Sequence, residues 1–247
     1  MAIAPLFEVC LQSVDGAIAA QAGGAGRVEL CAALVEGGIT PSLGSIAACR
    51  DAVNIDIMVM IRPRGGDFLY SSAELDSMAR DIEHCKAIGV TGVVFGLLQE
   101  DGQIDLQLTK QLIDIASPLQ LTFHRAFDVV KDPVASLESL IELGVDRVLT
   151  SGQAATVPEG LALIKSLVQQ SAGRIGILPG CGITAQNVAG IVAQTGVSEF
   201  HATAFATRSS AMQYHNPSVY MGLPGLAEYE RQYTSTEIVA SYLSPWK

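Results

Sequence analysis

The feature that most constrains this chain is an alternation repeated along nearly its whole length. A short β-branched or apolar run is followed by a turn and then by a longer amphipathic stretch. The short runs fall at 6–11, 27–31, 56–62, 92–98, 119–125, 147–151, 174–178 and 199–203. Helical spacing is expected between them, over about 13–22, 42–52, 72–88, 105–116, 133–143, 158–170 and 184–194. Strict alternation of strand and helix predicts a parallel sheet, and eight such units are the number that closes a (β/α)8 TIM barrel. Gly26, Gly144 and Gly196 each precede a short turn and a strand, as expected of glycines that end a helix in a left-handed turn. An open doubly wound sheet is the competing architecture, but no GxGxxG follows the first run. The expectation is a single α/β domain over residues 1–247, with the barrel at about 6–205 and a C-terminal tail extension at about 206–247. The tail carries helical pattern near 225–229 and 237–242, and is free to cover the barrel or dock against a neighbour.

Composition narrows the partners. Hydrophobic residues make up 49% of the 247 and charged residues only 16%, as expected when parallel strands are buried on both faces. The net charge of −10 repels phosphate backbones, so nucleic acid is not an expected partner, although a small local anion site stays open. No apolar stretch reaches the roughly 20 residues that span a bilayer, and residues 1–9 lack the basic and apolar regions of a signal peptide. No membrane association is therefore expected. Five widely scattered cysteines do not make a disulfide framework, and fit free thiols in a reducing, cytoplasmic setting.

A charged residue in a doubly buried strand needs a partner or a task. Glu8, Glu29, Arg62, the His124-Arg125 pair and His201 all sit in such strands, with Arg64 just after the third. They cluster toward the strand C-terminal ends, where barrel active sites lie. They read either as a satisfied ion network or as acid/base and anion-binding groups. Cys10 and Cys31 end the first two strands as Glu8-Val9-Cys10 and Glu29-Leu30-Cys31. Residues two apart share a face, and neighbouring strands lie about 4.8 Å apart, so the two thiols are expected close together. They read either as small buried apolar residues or as soft ligands suited to Cu(I), to which Met58 and Met60 can add a thioether. The Gly-rich run Pro179-Gly180-Cys181-Gly182-Ile183-Thr184 follows the seventh strand. It is either an ordinary tight turn or a phosphate cradle ahead of a helix N-terminus, with Thr184 as N-cap.

Several segments together resemble the CutC family. They are Val28-Glu29-Leu30-Cys31, Glu36-Gly37-Gly38, Thr40-Pro41-Ser42, Ile61 through Phe68 (Arg62-Pro63-Arg64-Gly65-Gly66-Asp67 within it), Phe123-His124-Arg125-Ala126-Phe127-Asp128 and Val148-Leu149-Thr150-Ser151-Gly152. The likeness runs in order from about residue 6 to about residue 215. Cys181 stands where the family usually carries Gly or Ala. The resemblance implies a TIM barrel, a cytoplasmic role in copper homeostasis, Cu(I) as cofactor held by Cys10 and Cys31, and a homo-oligomer, dimer or tetramer.

Two functions follow as expectations. In the first, Cys10 and Cys31 bind Cu(I), with Glu8 and Glu29 tuning local charge. In the second, the chain is an enzyme acting on a small carboxylate or phosphate. Arg62, Arg64 and Arg125 with the Gly180 and Gly182 loop would then hold the anion, His124 would be general acid or base, and Glu8 or Glu29 its complement. Whether the chain is an enzyme stays open from sequence.

Overall fold

A computed structural model describes residues 4–219, 221–222 and 227–247. Eight parallel strands form one sheet: β1 (Leu6–Leu11), β2 (Arg27–Leu30), β3 (Asp56–Met60), β4 (Gly92–Phe95), β5 (Gln120–Phe123), β6 (Arg147–Thr150), β7 (Gly176–Pro179) and β8 (Glu199–Ala202). Their order is β7-β6-β5-β4-β3-β2-β1-β8. The ring closes where β7 meets β8 through a parallel bridge between Gly180 and His201. Seven helices link the strands: α1 (Val14–Gly23), α2 (Leu43–Ala52), α3 (Ser72–Ile88), α4 (Leu106–Ala116), α5 (Pro133–Glu142), α6 (Val157–Ser171) and α7 (Val188–Thr195). This is the TIM barrel expected from the alternation.

Local chemistry sets the helix ends. Ser71 accepts from the Glu74 N–H while Glu74 accepts from the Ser71 N–H, a capping box that starts α3 where the pattern places it. Asp132 caps α5 with Pro133 in its first turn. Gly144 and Gly196 take the left-handed conformation expected of them, but α1 is ended by Gly24 (φ 98°) rather than Gly26. Helix α7 begins four residues later than its apolar pattern suggests. Asn187 accepts from the Thr184 N–H at 2.8 Å and donates to Gly182 O at 2.9 Å, folding 182–187 into a turn ahead of the helix.

The tail differs more. Two antiparallel strands, β9 (Phe205–Ser209) and β10 (Glu230–Thr234), form a hairpin that the sequence pattern did not suggest. Part of the expected helix at 225–229 lies outside the described residues, and 227–229 form a loop and turn. The second expected segment does fold, as α8 (Thr236–Tyr242). It packs against α1 closely enough that a Cβ on Gly23 would come within 2.5 Å of Val239 Cβ. Its Tyr242 hydroxyl donates to Ile183 O and Thr203 O, and its ring lies 4.8 Å from Phe7, which stacks on Phe200 at 4.5 Å. The end of the tail thus docks on the outer face of β1 and β8.

The register divides each strand into an inner and an outer set. Phe7, Val9, Val28, Ile57, Val59, Val93, Phe123, Val148 and Phe200 belong to the large apolar core between strands and helices. The residues between them point into the barrel. There the apolar cluster is small and soft: Cys10, Cys31, Met58, Met60 and Val94, with Leu34 against it. Much of the remaining interior is charged, with Glu8, Arg27, Glu29, Arg147, Glu199 and His201 beside the uncharged Thr122, Leu149 and Leu178. Among the described residues no helix is long and apolar enough to cross a membrane.

Candidate functional site

The charged interior is built upward from the strand N-terminal ends. Arg27 on β2 donates to Glu8 on β1, and to Glu199 on β8 at 2.5 Å. Arg147 on β6 approaches Glu199 at 3.7 Å and donates to Gln120 at 2.8 Å. One level up, His201 Nδ1 lies 2.8 Å from Glu8 Oε1, and His201 Nε2 lies 3.8 Å from Glu29 Oε2. Above this the Cys31 thiol donates to Glu29 Oε2 at 3.4 Å. The sulfurs of Cys10 and Cys31 and a Glu29 carboxylate oxygen all lie within 4.8 Å of one another. Glu29 Oε1 is buried without a hydrogen-bond partner.

Burial and charge set the protonation of this column. Burial alone pushes the Glu8 carboxyl up, but the Arg27 charge and the His201 hydrogen bond outweigh it and bring it down to about 2. Burial likewise opposes the charged form of His201. The Glu29 charge and the hydrogen bonds to Cys10 and Glu8 prevail, so its pKa lies well above that of a free imidazole. Glu29, buried and beside Cys10, is pushed well above the carboxylate range. The two cysteines divide their proton unequally. The hydrogen bond from Cys31, against the cost of burial, lowers the Cys10 thiol to about 5, and the same bond with burial raises Cys31 well above a free thiol. The arrangement thus favours ionisation of Cys10 over Cys31.

Over the thiols opens a cavity of about 120 Å³. Cys10, Glu29 and His201 line one side, His124, Arg125 and Leu149 the side across the barrel, and Met60, Arg62, Phe68 and Gly37 the span between. The Arg62 guanidinium donates to the carbonyls of Glu36, Gly38 and Gly66 at 2.7–3.0 Å, tying two Gly-rich loops together, and sits 5.0 Å over the Phe68 ring. His124 Nδ1 accepts from the Ala126 N–H at 3.2 Å. Burial, helped by the Arg62 charge, lowers this imidazole to about 3, so it is neutral with its proton on Nε2. Arg125 is held by Asp128 at 2.7 Å and Ser151 at 2.8 Å.

The residues singled out from sequence therefore separate. Cys10, Glu29, Arg62, His124, Arg125 and His201 meet at one cavity, with Cys31 directly behind Cys10 and Glu29. Glu8 lies beneath, spent on Arg27 and His201. Arg64 turns away from the cavity to Glu74 and Asp67 at the start of α3. Gly180 and Gly182 do not line the cavity. The Gly180 N–H goes to Thr150 O, and Gly182 packs on Thr156. Thr184 caps the turn ahead of α7 rather than the helix itself: its Oγ1 accepts from the Asn187 N–H at 3.3 Å, and Asn187 holds the N-cap position of α7. Sequence reasoning missed Arg27, Arg147 and Glu199. The signal was present in β2 as Arg27-Val28-Glu29-Leu30, a period-two pattern with every second residue charged.

Comparison with known proteins bears on this site. The family model described as the CutC family matches residues 5–206. A family protein CutC from Chromobacterium violaceum is 50% identical over 234 residues, spanning 95% of this chain and 95% of that protein. The copper homeostasis protein cutC homolog of Homo sapiens is 52% identical over 217 residues, 88% of this chain and 80% of that protein. The crystal structure of a copper homeostasis protein CutC from Streptococcus agalactiae superposes with a TM-score of 0.78 at 36% identity, covering 81% of this chain and 98% of that one. With the match running through every barrel strand, this chain belongs to the CutC family.

Proposed function

We propose that this chain is a cytoplasmic copper-handling protein that binds Cu(I) through the thiolates of Cys10 and Cys31. The observation that carries the reading is the buried pair of thiols at the C-terminal ends of β1 and β2, within 4.8 Å of each other and of the Glu29 carboxyl. Cu(I) is a soft cation that favours thiolate and thioether donors, and Met60 belongs to the same apolar cluster as the two sulfurs. The donor set fits Cu(I) better than structural zinc. A closed zinc site wants four ligands, whereas His201 is held by Glu8 and stands outside the Cys10–Glu29–Cys31 group. The names of the human and streptococcal relatives point the same way.

The residues divide the work. Cys10 is the thiol more readily ionised, favoured by its contacts with Cys31 and His201. Cys31 must lose its proton to become a ligand, and Glu29 accepts that hydrogen bond at 3.4 Å. Glu8 fixes the His201 ring from below. Bound Cu(I) would supply a positive charge that replaces the Cys31 proton. Affinity is therefore expected to rise with pH until Cys31 has ionised. The test is an anaerobic Cu(I) titration against a chromogenic chelator with wild type and the double variant Cys10→Ser/Cys31→Ser. Tight one-to-one binding that disappears in the variant supports the reading. Weak binding, or binding the variant retains, ends it.

A further inference from the structure

The cavity above the thiols has a second wall that copper does not need. Arg62 is 5% exposed and His124 3%, and both line the cavity. Among the described residues no carboxylate forms an ion pair with Arg62; its charge meets three backbone carbonyls and the face of the Phe68 ring. A buried cation is costly without a counter-charge, and the other buried cations here have one: Arg27 has Glu8 and Glu199, and His201 has Glu8. Arg62 Nε and His124 Nε2 are also buried polar atoms with no hydrogen-bond partner. Because His124 Nδ1 accepts from the backbone, its Nε2 carries the proton, so both orphaned atoms are donors. Buried donors left unpaired are rare and call for an acceptor.

From these observations we infer that the cavity between Arg62 and His124 binds a small monocarboxylate. An uncompensated cation and two idle donors on neighbouring side chains match the charge and acceptor oxygens of one carboxylate group. A phosphate ester fits less well, because its two charges and additional oxygens would need more donors than this wall offers. The loop expected to supply them, around Gly180 and Thr184, does not line this cavity. The remainder of the lining suits a short apolar tail, with Met60, Phe68 and Leu149 around it. At roughly 30 Å³ for each water-sized group, about 120 Å³ holds about four such groups, the size of a carboxylate on one or two further carbons. The cavity shares Cys10 and Glu29 with the proposed copper site, but the carboxylate is assigned to Arg62 and His124 and needs no metal.

The experiment is a calorimetric titration of reduced, metal-free protein with propionate, with propionamide and inorganic phosphate as comparators. Saturable propionate binding is expected. Propionamide, which keeps the shape but not the charge, should bind about tenfold to hundredfold more weakly, as should propionate to His124→Phe, the usual scale for losing a charge-assisted hydrogen bond. Arg62 also pins two loops, so Arg62→Gln is informative only if its melting curve stays cooperative. Leu149→Phe, which fills the cavity from β6, gives a second route and should abolish binding. No saturable binding of propionate to the wild type overturns the proposal. So does binding that His124→Phe and Leu149→Phe leave unchanged, or phosphate or propionamide binding as tight as that of propionate. The metal-free protein keeps this result separate from that of the copper titration.

Discussion

The same eight strands face two different environments. Their outward side chains, such as Phe7, Val28, Ile57, Val93 and Phe200, make a continuous apolar layer against the helices. Their inward side chains include Glu8, Arg27, Glu29, Arg147, Glu199 and His201, with sulfur atoms at the top. Barrel interiors are commonly filled with layers of branched aliphatic residues, so a charged interior is a departure. The outer layer is held by area and shape, and tolerates exchange of one apolar group for another of like volume. The interior is held by pairing, and what it cannot tolerate is an orphaned charge.

The sharpest way to break this contrast is to remove one charge at the centre of the network. Arg27→Met leaves Glu8 and Glu199 buried without their shared cation and is expected to cost about 3–5 kcal/mol. Adding Glu8→Gln should recover part of that loss, because it removes one of the orphans; the two changes should couple by at least about 1 kcal/mol. Phe200→Ala in the outer layer should cost a similar amount, about 3–5 kcal/mol, with no such recovery available from a neighbouring polar change. Chemical denaturation of wild type, Arg27→Met, Glu8→Gln, their double variant and Phe200→Ala checks this. Strict additivity of Arg27→Met and Glu8→Gln would remove the basis for treating the interior as a paired unit.

Next in size is the pH dependence of the same network. Glu8 is depressed in the folded state from 4.5 to about 2. A depressed carboxyl contributes stability that is fully present above its unfolded value and is lost as pH falls toward the folded value. The window is therefore between about pH 5 and pH 2, and the contribution is about 3 kcal/mol at the usual 1.36 kcal/mol per unit. Glu8→Gln should flatten the fall in stability across that window. An acid-denaturation series of wild type and variant that run parallel would contradict the assignment. His201 works in the opposite sense. Its folded value is raised, so its contribution is complete below about pH 6.5 and disappears only as pH rises through the folded value.

A shape-sensitive layer should respond to volume where the interior responds to charge. Gly23 on α1 lies against Val239 of α8, and a Cβ there would meet Val239 Cβ at 2.5 Å. Gly23→Ala is expected to cost about 1–3 kcal/mol by forcing the two helices apart, although alanine is the better helix former. The companion Gly23→Ala/Val239→Ala should recover only a small part of it, because Val239 Cβ and the Thr236 carbonyl oxygen, 2.5 and 2.8 Å from the added Cβ, both remain. Equal stability of Gly23→Ala and wild type in a urea titration would mean that α8 docks less tightly than its contacts with α1 indicate.

These two layers were unequally legible in the sequence. The outer one came through well, because a run such as Leu6–Leu11 needs only local pattern, and the Ser71–Glu74 capping box fixes the start of α3 without tertiary help. The cavity residues Cys10, Glu29, Arg62, His124 and His201 were also legible as charges and thiols at strand C-terminal ends. Arg27, Arg147 and Glu199 were not. At the start of a strand a charged residue reads as solvent-facing, and only closure of the ring sets β2 and β8 on either side of β1, so that Arg27 reaches both Glu8 and Glu199. The loop after β7 shows the same dependence on tertiary context: Thr150 takes the Gly180 N–H and Asn187 that of Thr184, partners that the glycine pattern alone does not reveal. The hairpin of β9 and β10 has polar, exposed residues and little apolar alternation, so nothing local marks it as a pair of strands.

The smallest expected effect separates the cysteines of the two layers. Cys49 on α2 and Cys85 on α3 are as buried as Cys31, but they lie in the apolar layer, and burial raises their thiols to about 11 and about 12. They have no thiol or carboxyl partner among their hydrogen bonds and act there as small apolar groups. Cys49→Ala should cost about 1 kcal/mol through the volume it removes and should leave Cu(I) affinity unchanged. Cys31→Ala removes a similar volume from the interior, so a comparable modest loss of stability is expected, yet Cu(I) affinity should collapse. Stability and copper affinity measured on both variants therefore test whether the two layers differ in chemistry and not merely in packing. If Cys49→Ala weakened copper binding as much as Cys31→Ala, the metal would be reporting global integrity, and the inward-facing thiol pair would lose its claim to be the site.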